Sequence, residues 1–134
     1  MIKGSCLCGR INYEYSGELG PVTMCHCSQC RKSSGTAFAT NSQADKSHFN
    51  IVAGKDYIKE YESSPGKFRA FCSNCGSPVY SRRESVPDKL RIRLGTLDTK
   101  IDEKPSFHIF VSTMADWHSI SDELPKYSDF EPGR

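Results

Sequence analysis

The chain has 134 residues, 37% of them hydrophobic, and 18 Lys and Arg against 16 Asp and Glu, for a formal net charge of +2. A mean hydropathy of −0.55 and no apolar run near the roughly 18 residues that span a bilayer exclude a helical membrane protein. Charged residues at 25%, with apolar ones spread throughout, exclude a disordered chain. The basic pairs Arg31-Lys32 and Arg82-Arg83 are too short to make a nucleic-acid face.

The first residues, Met1-Ile2-Lys3-Gly4-Ser5-Cys6, lack the apolar stretch of a secretory signal, so a cytoplasmic location is expected, where thiols stay reduced. Ile11, Tyr13 and Tyr15 alternate with Asn12 and Glu14, the pattern of a half-buried strand ended by Gly17. Residues 28–33 are the best helical candidate. Strands are expected at 36–40 and 48–52, then at 57–61 and 67–71 around the hairpin turn Ser64-Pro65-Gly66. Further strands are expected at 78–81, 90–94 and 107–111. A short helical piece is expected within 113–124 around Trp117, and residues 128–134 are expected to be loose. Strands recurring about every ten residues imply a mainly β chain with few helical turns. Its length implies one domain over 1–134.

Seven cysteines stand at 6, 8, 25, 27, 30, 72 and 75. An odd number, spaced as Cys-x-Cys, Cys-x-Cys-x-x-Cys and Cys-x-x-Cys, suits thiolates converging at about 2.3 Å on zinc better than disulfides. Seven divides into four, a closed structural site, and three, a site with an open position. Gly9 and Gly76 follow Cys8 and Cys75 and permit the positive φ that turns backbone N–H groups toward sulfur, whereas Arg31 follows Cys30. This asymmetry favours Cys6, Cys8, Cys72 and Cys75 as one site and Cys25, Cys27 and Cys30 as the other. Three alternatives stay open: a fourth ligand from His26, His108 or His118, a redox role for Cys72 and Cys75, and Cys25 as a spectator. Seven thiolates remove seven charges and two zinc ions return four, so the formal charge of +2 becomes −1 in the loaded protein.

The motifs in order are Cys6-Leu7-Cys8-Gly9, Cys25-His26-Cys27-Ser28-Gln29-Cys30-Arg31, Phe71-Cys72-Ser73-Asn74-Cys75-Gly76, Leu94-Gly95-Thr96-Leu97-Asp98 and Pro105-Ser106-Phe107-His108, followed by Trp117 and Leu124-Pro125. Together they resemble the glutathione-dependent formaldehyde-activating enzyme family, which shares its domain with centromere protein V. The resemblance implies a zinc-containing β-tent of antiparallel sheets and two Zn²⁺ per chain. Cys6, Cys8, Cys72 and Cys75 would hold the structural ion, and Cys25, Cys27 and Cys30 the catalytic one. It also implies carbon–sulfur lyase chemistry, with glutathione and formaldehyde giving S-hydroxymethylglutathione.

Three thiolates make a weak Lewis acid, suited to holding a small thiol in its anionic form before a small aldehyde. Arg31 and Lys32 either offset that negative centre, hold a substrate carboxylate, or lie at the surface with no such role. His108 is either an acid/base or a donor to a backbone carbonyl. Thr96 and Asp98 read as turn residues, and Trp117 as an anchor for the C-terminal segment. The competing reading is a non-catalytic zinc module that binds a partner. The sequence sets no oligomeric state.

Overall fold

The computed structural model describes residues 1–134. In chain order the strands are β1 (Ile2–Ser5), β2 (Asn12–Tyr15), β3 (Val22–Cys25), β4 (Ala39–Asp45), β5 (Phe49–Ala53), β6 (Ile58–Ser64), β7 (Lys67–Cys72), β8 (Pro78–Arg83), β9 (Lys89–Arg93) and β10 (Pro105–Ile109), with helix α1 (Ser28–Ser34) between β3 and β4. The expected mainly β class holds. No helix is long and apolar enough to cross a membrane. The chain forms two compact units, Met1–Gly20 with Ser42–Asp102, and Pro21–Asn41 with Glu103–Arg134.

In the first unit β1, β2 and β5 make an antiparallel sheet in the order β1-β2-β5. Strands β6 to β9 form an antiparallel meander. Ile11, Tyr13 and Tyr15 are buried with Val79, Leu90 and Ile92, which is what their alternation demands. Both buried phenols are satisfied: Tyr13 Oη lies 2.6 Å from Thr96 Oγ1, and Tyr15 Oη donates to the Glu18 carbonyl and accepts from Asp45 N–H. The β6–β7 turn closes on Gly66 at φ 75°, as Pro65-Gly66 predicts.

In the second unit β10 runs parallel to β3, a departure from an all-antiparallel arrangement. A small core of Cys25, Cys30, Ala39 and Ile109 packs with Phe107, Phe110 and Tyr127. All four residues of β3 are buried, so it has no alternating pattern to read. The strand expected at 36–40 begins only at Ala39. Before it, Thr36 Oγ1 donates to the Phe38 carbonyl and pairs with Ser34 Oγ, and such local bonding competes with a ladder. The helical piece expected within 113–124 is absent. One 3-10 turn covers Val111–Thr113, and the rest closes in local turns, Leu124 N–H donating to Asp122 Oδ1 among them.

Two positions in the first unit are constrained enough to test. Gly54 has φ 77°, and a Cβ there would lie 1.9 Å from the Arg10 carbonyl oxygen. Gly54→Ala should therefore cost at least about 2 kcal/mol in denaturant titration. Lys67 is only 7% exposed, and its Nζ donates to Ser81 Oγ at 3.2 Å. Burial, then the charges of Arg83, Arg93, Arg69 and Arg91, push its pKa down to about 7. Above that pH the unfolded chain holds a proton that the native chain does not, so stability rises with pH until the unfolded lysine also deprotonates. K67M should be more stable than wild type at pH 7, and the gap should close by about 1 kcal/mol per pH unit between pH 7 and 10. A pH-independent gap would count against the buried charge.

Candidate functional site

The first cysteine cluster lies in the first unit, in the turns after β1 and after β7. The sulfurs of Cys6, Cys8, Cys72 and Cys75 all lie within 4.8 Å of one another. Cys6 and Cys8 are 3.5 Å apart, and Cys8 and Cys72 are 3.8 Å apart. Four thiolates about 2.3 Å from a tetrahedral ion sit about 3.8 Å from each other, so the spacing fits zinc. Both turns close on a glycine: Gly9 N–H donates to the Cys6 carbonyl three residues back and Gly76 N–H to the Cys72 carbonyl four back, with φ 79° and 80° at the glycines. Ile11 N–H reaches Cys6 Sγ at 3.3 Å. The Arg10 backbone N–H is the main reason the Cys8 thiol falls to about 7. The Ser77 hydroxyl, then its N–H, takes Cys75 to about 5, while burial raises Cys72. No disulfide is present.

The second cluster lies wholly in the second unit. Cys25 ends β3, Cys27 is the N-cap of α1, and Cys30 is buried in its first turn. Cys27 Sγ accepts from Cys30 N–H at 3.3 Å, so the cap and the cluster are one structure. The three sulfurs lie within 4.8 Å of one another. Hydrogen-bonding contact with Cys27 and Cys30, then burial, drives the Cys25 thiol far above its ordinary range. Three such thiols ionise together only beside a cation, which is the donor chemistry of a metal site. No imidazole nitrogen joins the three sulfurs.

His26, between Cys25 and Cys27, turns instead into a buried chain of histidines. Its Nε2 lies 2.8 Å from His108 Nδ1, and His108 Nε2 lies 2.9 Å from Asp122 Oδ2. The His108 bond holds the Asp122 carboxyl below its ordinary range, so the carboxylate accepts and His108 Nε2–H donates. When each ring carries a single proton, His108 Nδ1 accepts from His26 Nε2–H and His26 Nδ1 carries a lone pair. That atom is buried without a partner, as is Arg31 Nε on α1. Burial, then His108 and His118, lowers His26 to about 4. The Phe38 ring lies tilted against both imidazoles, its centroid 5.0 Å from that of His26 and 5.8 Å from that of His118. Thr113 Oγ1 lies 3.5 Å from the His26 carbonyl, after Phe110, the one non-glycine residue with positive φ, at 57°.

Other expected residues fall elsewhere. His108 donates to a carboxylate, not to a backbone carbonyl. Thr96 and Asp98 serve the first unit, bonding Tyr13 and Ser5. Lys32 is exposed. Trp117 is 70% exposed and does not anchor the C-terminal segment. The segment is held by a backbone ladder, His108 N–H to the Pro125 carbonyl and Tyr127 N–H to that of His108, and by Phe130 against Phe110. That ladder brings Asp122 to His108. Nothing in the spacing of Asp122 marked it in advance.

A family-wide sequence profile described as "Glutathione-dependent formaldehyde-activating enzyme" matches residues 1–113. The chain belongs to this family. Membership classes it with a family of lyase-type enzymes. An uncharacterized lyase of Schizosaccharomyces pombe is 32% identical over 78 residues, which cover 58% of this chain and 55% of the yeast protein. The match thus spans about half of that relative. A crystal structure of a Rhodobacter sphaeroides protein superposes with a TM-score of 0.62 at 27% identity, over 75% of this chain and 91% of that one.

The histidine chain has a direct readout. In wild type, ¹⁵N NMR should show His26 and His108 both protonated at Nε2. Asp122→Ala removes the acceptor that fixes this order, so both rings should lose the preference. Unchanged ring shifts would show that Asp122 does not set the tautomers.

Proposed function

We propose that the chain is a zinc-dependent carbon–sulfur lyase acting on the adduct of a small thiol and a small aldehyde. Glutathione and formaldehyde, interconverting with S-hydroxymethylglutathione, are the pair the family's description favours. The observation that carries the reading is the three-sulfur group of Cys25, Cys27 and Cys30, with no fourth protein ligand, alongside a complete group of four. In this reading Cys6, Cys8, Cys72 and Cys75 hold a structural zinc, and Cys25, Cys27 and Cys30 a catalytic one, within one β-tent domain over 1–134. A zinc held by Cys25, Cys27 and Cys30 would act as a Lewis acid that keeps a thiol as thiolate at neutral pH.

The protein's own groups account for the rest. The reaction joins sulfur to the carbonyl carbon, opens the C=O π bond and moves the thiol proton to oxygen, with no oxidant or water consumed. The lone pair on His26 Nδ1 accepts a hydrogen bond from the thiol or from the adduct's hydroxyl. Asp122 and His108 keep that lone pair in place. Arg31 Nε offers an unused donor to a substrate carboxylate. Seven free thiols reserved for metal suit the reducing cytoplasm.

Native mass spectrometry of zinc-replete protein should count two ions per chain. Cys27→Ser should lose one ion and all catalysis above the spontaneous rate, read by magnetisation exchange between glutathione, ¹³C-formaldehyde and their adduct, yet remain folded. Cys75→Ser should lose cooperative folding, because structural zinc is part of the folding free energy. A single inert zinc, or undiminished turnover in Cys27→Ser, would overturn the lyase reading and favour a zinc module that binds a partner.

A further inference from the structure

The sheet β1-β2-β5 ends at β5, and beside this edge strand the first unit is not closed. Phe49 and Ile51, two apart on β5, project from one face with their partners Tyr15 and Tyr13. Across from them, the register of the meander sets Glu60 opposite Ala70 and Ala70 opposite Tyr80, so Glu60 and Tyr80 share a face. Arg82 follows Tyr80 by two and joins that face. Tyr80 also stands opposite Ile92, which puts Leu90, two residues earlier, on it as well. Between β5 and this face lies a cavity of about 430 Å³, within the size range of small-molecule sites. All of its lining belongs to the first unit.

The floor of the cavity is apolar. Leu90 is buried, and the rings of Phe49 and Tyr80 meet edge to face with centroids 5.7 Å apart, so a flat apolar group entering the cavity meets an aromatic surface. One wall is a fixed ion pair. Arg82 Nε and Nη2 donate to the two Glu60 oxygens at 2.7 and 2.8 Å, and Tyr80 Oη donates to Glu60 Oε2 at 3.1 Å. The guanidinium also lies 4.3 Å over the Phe68 ring. The Arg82 bonds hold the Glu60 carboxyl below its ordinary range, so this acid is ionised and already occupied, and it leaves nothing for a cationic ligand. The rim carries Lys46 and Lys55, both exposed, from the 3-10 turns that flank β5 at Lys46–His48 and Lys55–Tyr57. Neither ammonium is in an ion pair. Asp45, beside Lys46 in the chain, is taken by Lys89, and Asp56, beside Lys55, does not line the cavity. The lining thus holds three cations against one acid, an excess of positive charge around an apolar floor, and such a cavity selects anions.

We propose that this cavity binds a small organic anion with an aromatic or otherwise flat apolar body, the body against Phe49, Tyr80 and Leu90 and the anionic group toward Lys46 and Lys55. The site draws on none of the seven cysteines. It stands or falls separately from the lyase reading.

The test uses zinc-loaded, full-length protein in low-salt buffer, with the methyl NMR signals of Ile51 and Leu90 as the readout. It is titrated with hydrocinnamate and with phenyl phosphate, each set against its neutral counterpart, hydrocinnamamide or phenol. Saturable shifts are expected with an aromatic anion. Saturation by hydrocinnamate alone assigns a carboxylate class, by phenyl phosphate alone a phosphate class, and by both the shared chemistry. The neutral counterpart should bind about five-fold more weakly, because it forgoes the two rim charges. Acetate and inorganic phosphate, which lack the ring, should bind at least about ten-fold more weakly. The double variant K46Q/K55Q changes only exposed positions, so the floor stays intact. It should lose about five-fold in affinity for the anion and bind the neutral counterpart as wild type does. K104Q, at an exposed lysine of the second unit, should match wild type throughout. Equal affinity for the anion and its neutral counterpart, equal affinity in wild type and K46Q/K55Q, ringless anions as tight as aromatic ones, or shifts that never saturate would each overturn the proposal.

Discussion

Sulfur atoms brought to within 4.8 Å of one another impose the constraint on which most of this structure depends. Thiols so close cannot ionise together without a cation, and the backbone around them is shaped to make ionisation easy. Each pair of sulfurs is followed by a glycine with positive φ, Ile11 N–H reaches Cys6 Sγ, and Ser77 supports the cluster twice, through Leu7 N–H and at Cys75 Sγ. The second cluster rests on a helix of seven residues. A helix that short has little stability of its own in water. Its order comes from Cys27 as the cap, Cys30 as the buried contact and Gly35, at φ 72°, as the stop.

What was legible in the sequence follows from which forces write themselves into local pattern. Ile11, Tyr13 and Tyr15 declare their strand because one face is buried and the other is not. Pro65-Gly66 declares its turn because the positive φ is a backbone demand that glycine meets. The cysteine spacings declare two groups because metal chemistry is short-ranged. By contrast β3, buried on every side, and β1, four residues long with Gly4 beneath the Tyr13 ring, carry no alternation. The pairing of His26 with His108 was equally hidden. The two are 82 positions apart, and either could have turned toward sulfur. Asp122 sits in a polar stretch where one carboxylate looks like the next until the C-terminal ladder forms.

The two buried polar assemblies show opposite uses of a low-dielectric interior. Along Asp122, His108 and His26, each donor meets an acceptor until the last atom, so order passes inward from a surface carboxylate. At Lys67 the interior works the other way: burial and the neighbouring arginines disfavour the ammonium, which donates to the Ser81 hydroxyl. The first arrangement fixes which atoms can donate.

The parallel pairing of β3 with β10 has a consequence for how the chain is made. Residues 21–41 are synthesised well before residues 103–134, yet the second unit needs both. At translation speeds of roughly 5–20 residues per second, the interval is on the order of several seconds. During that time Cys25, Cys27 and Cys30 have neither β10 nor the C-terminal ladder beside them. The nascent thiols are then open to oxidants and to any passing metal. Until residues 103–134 follow, only a reductant or a bound cation protects the three sulfurs.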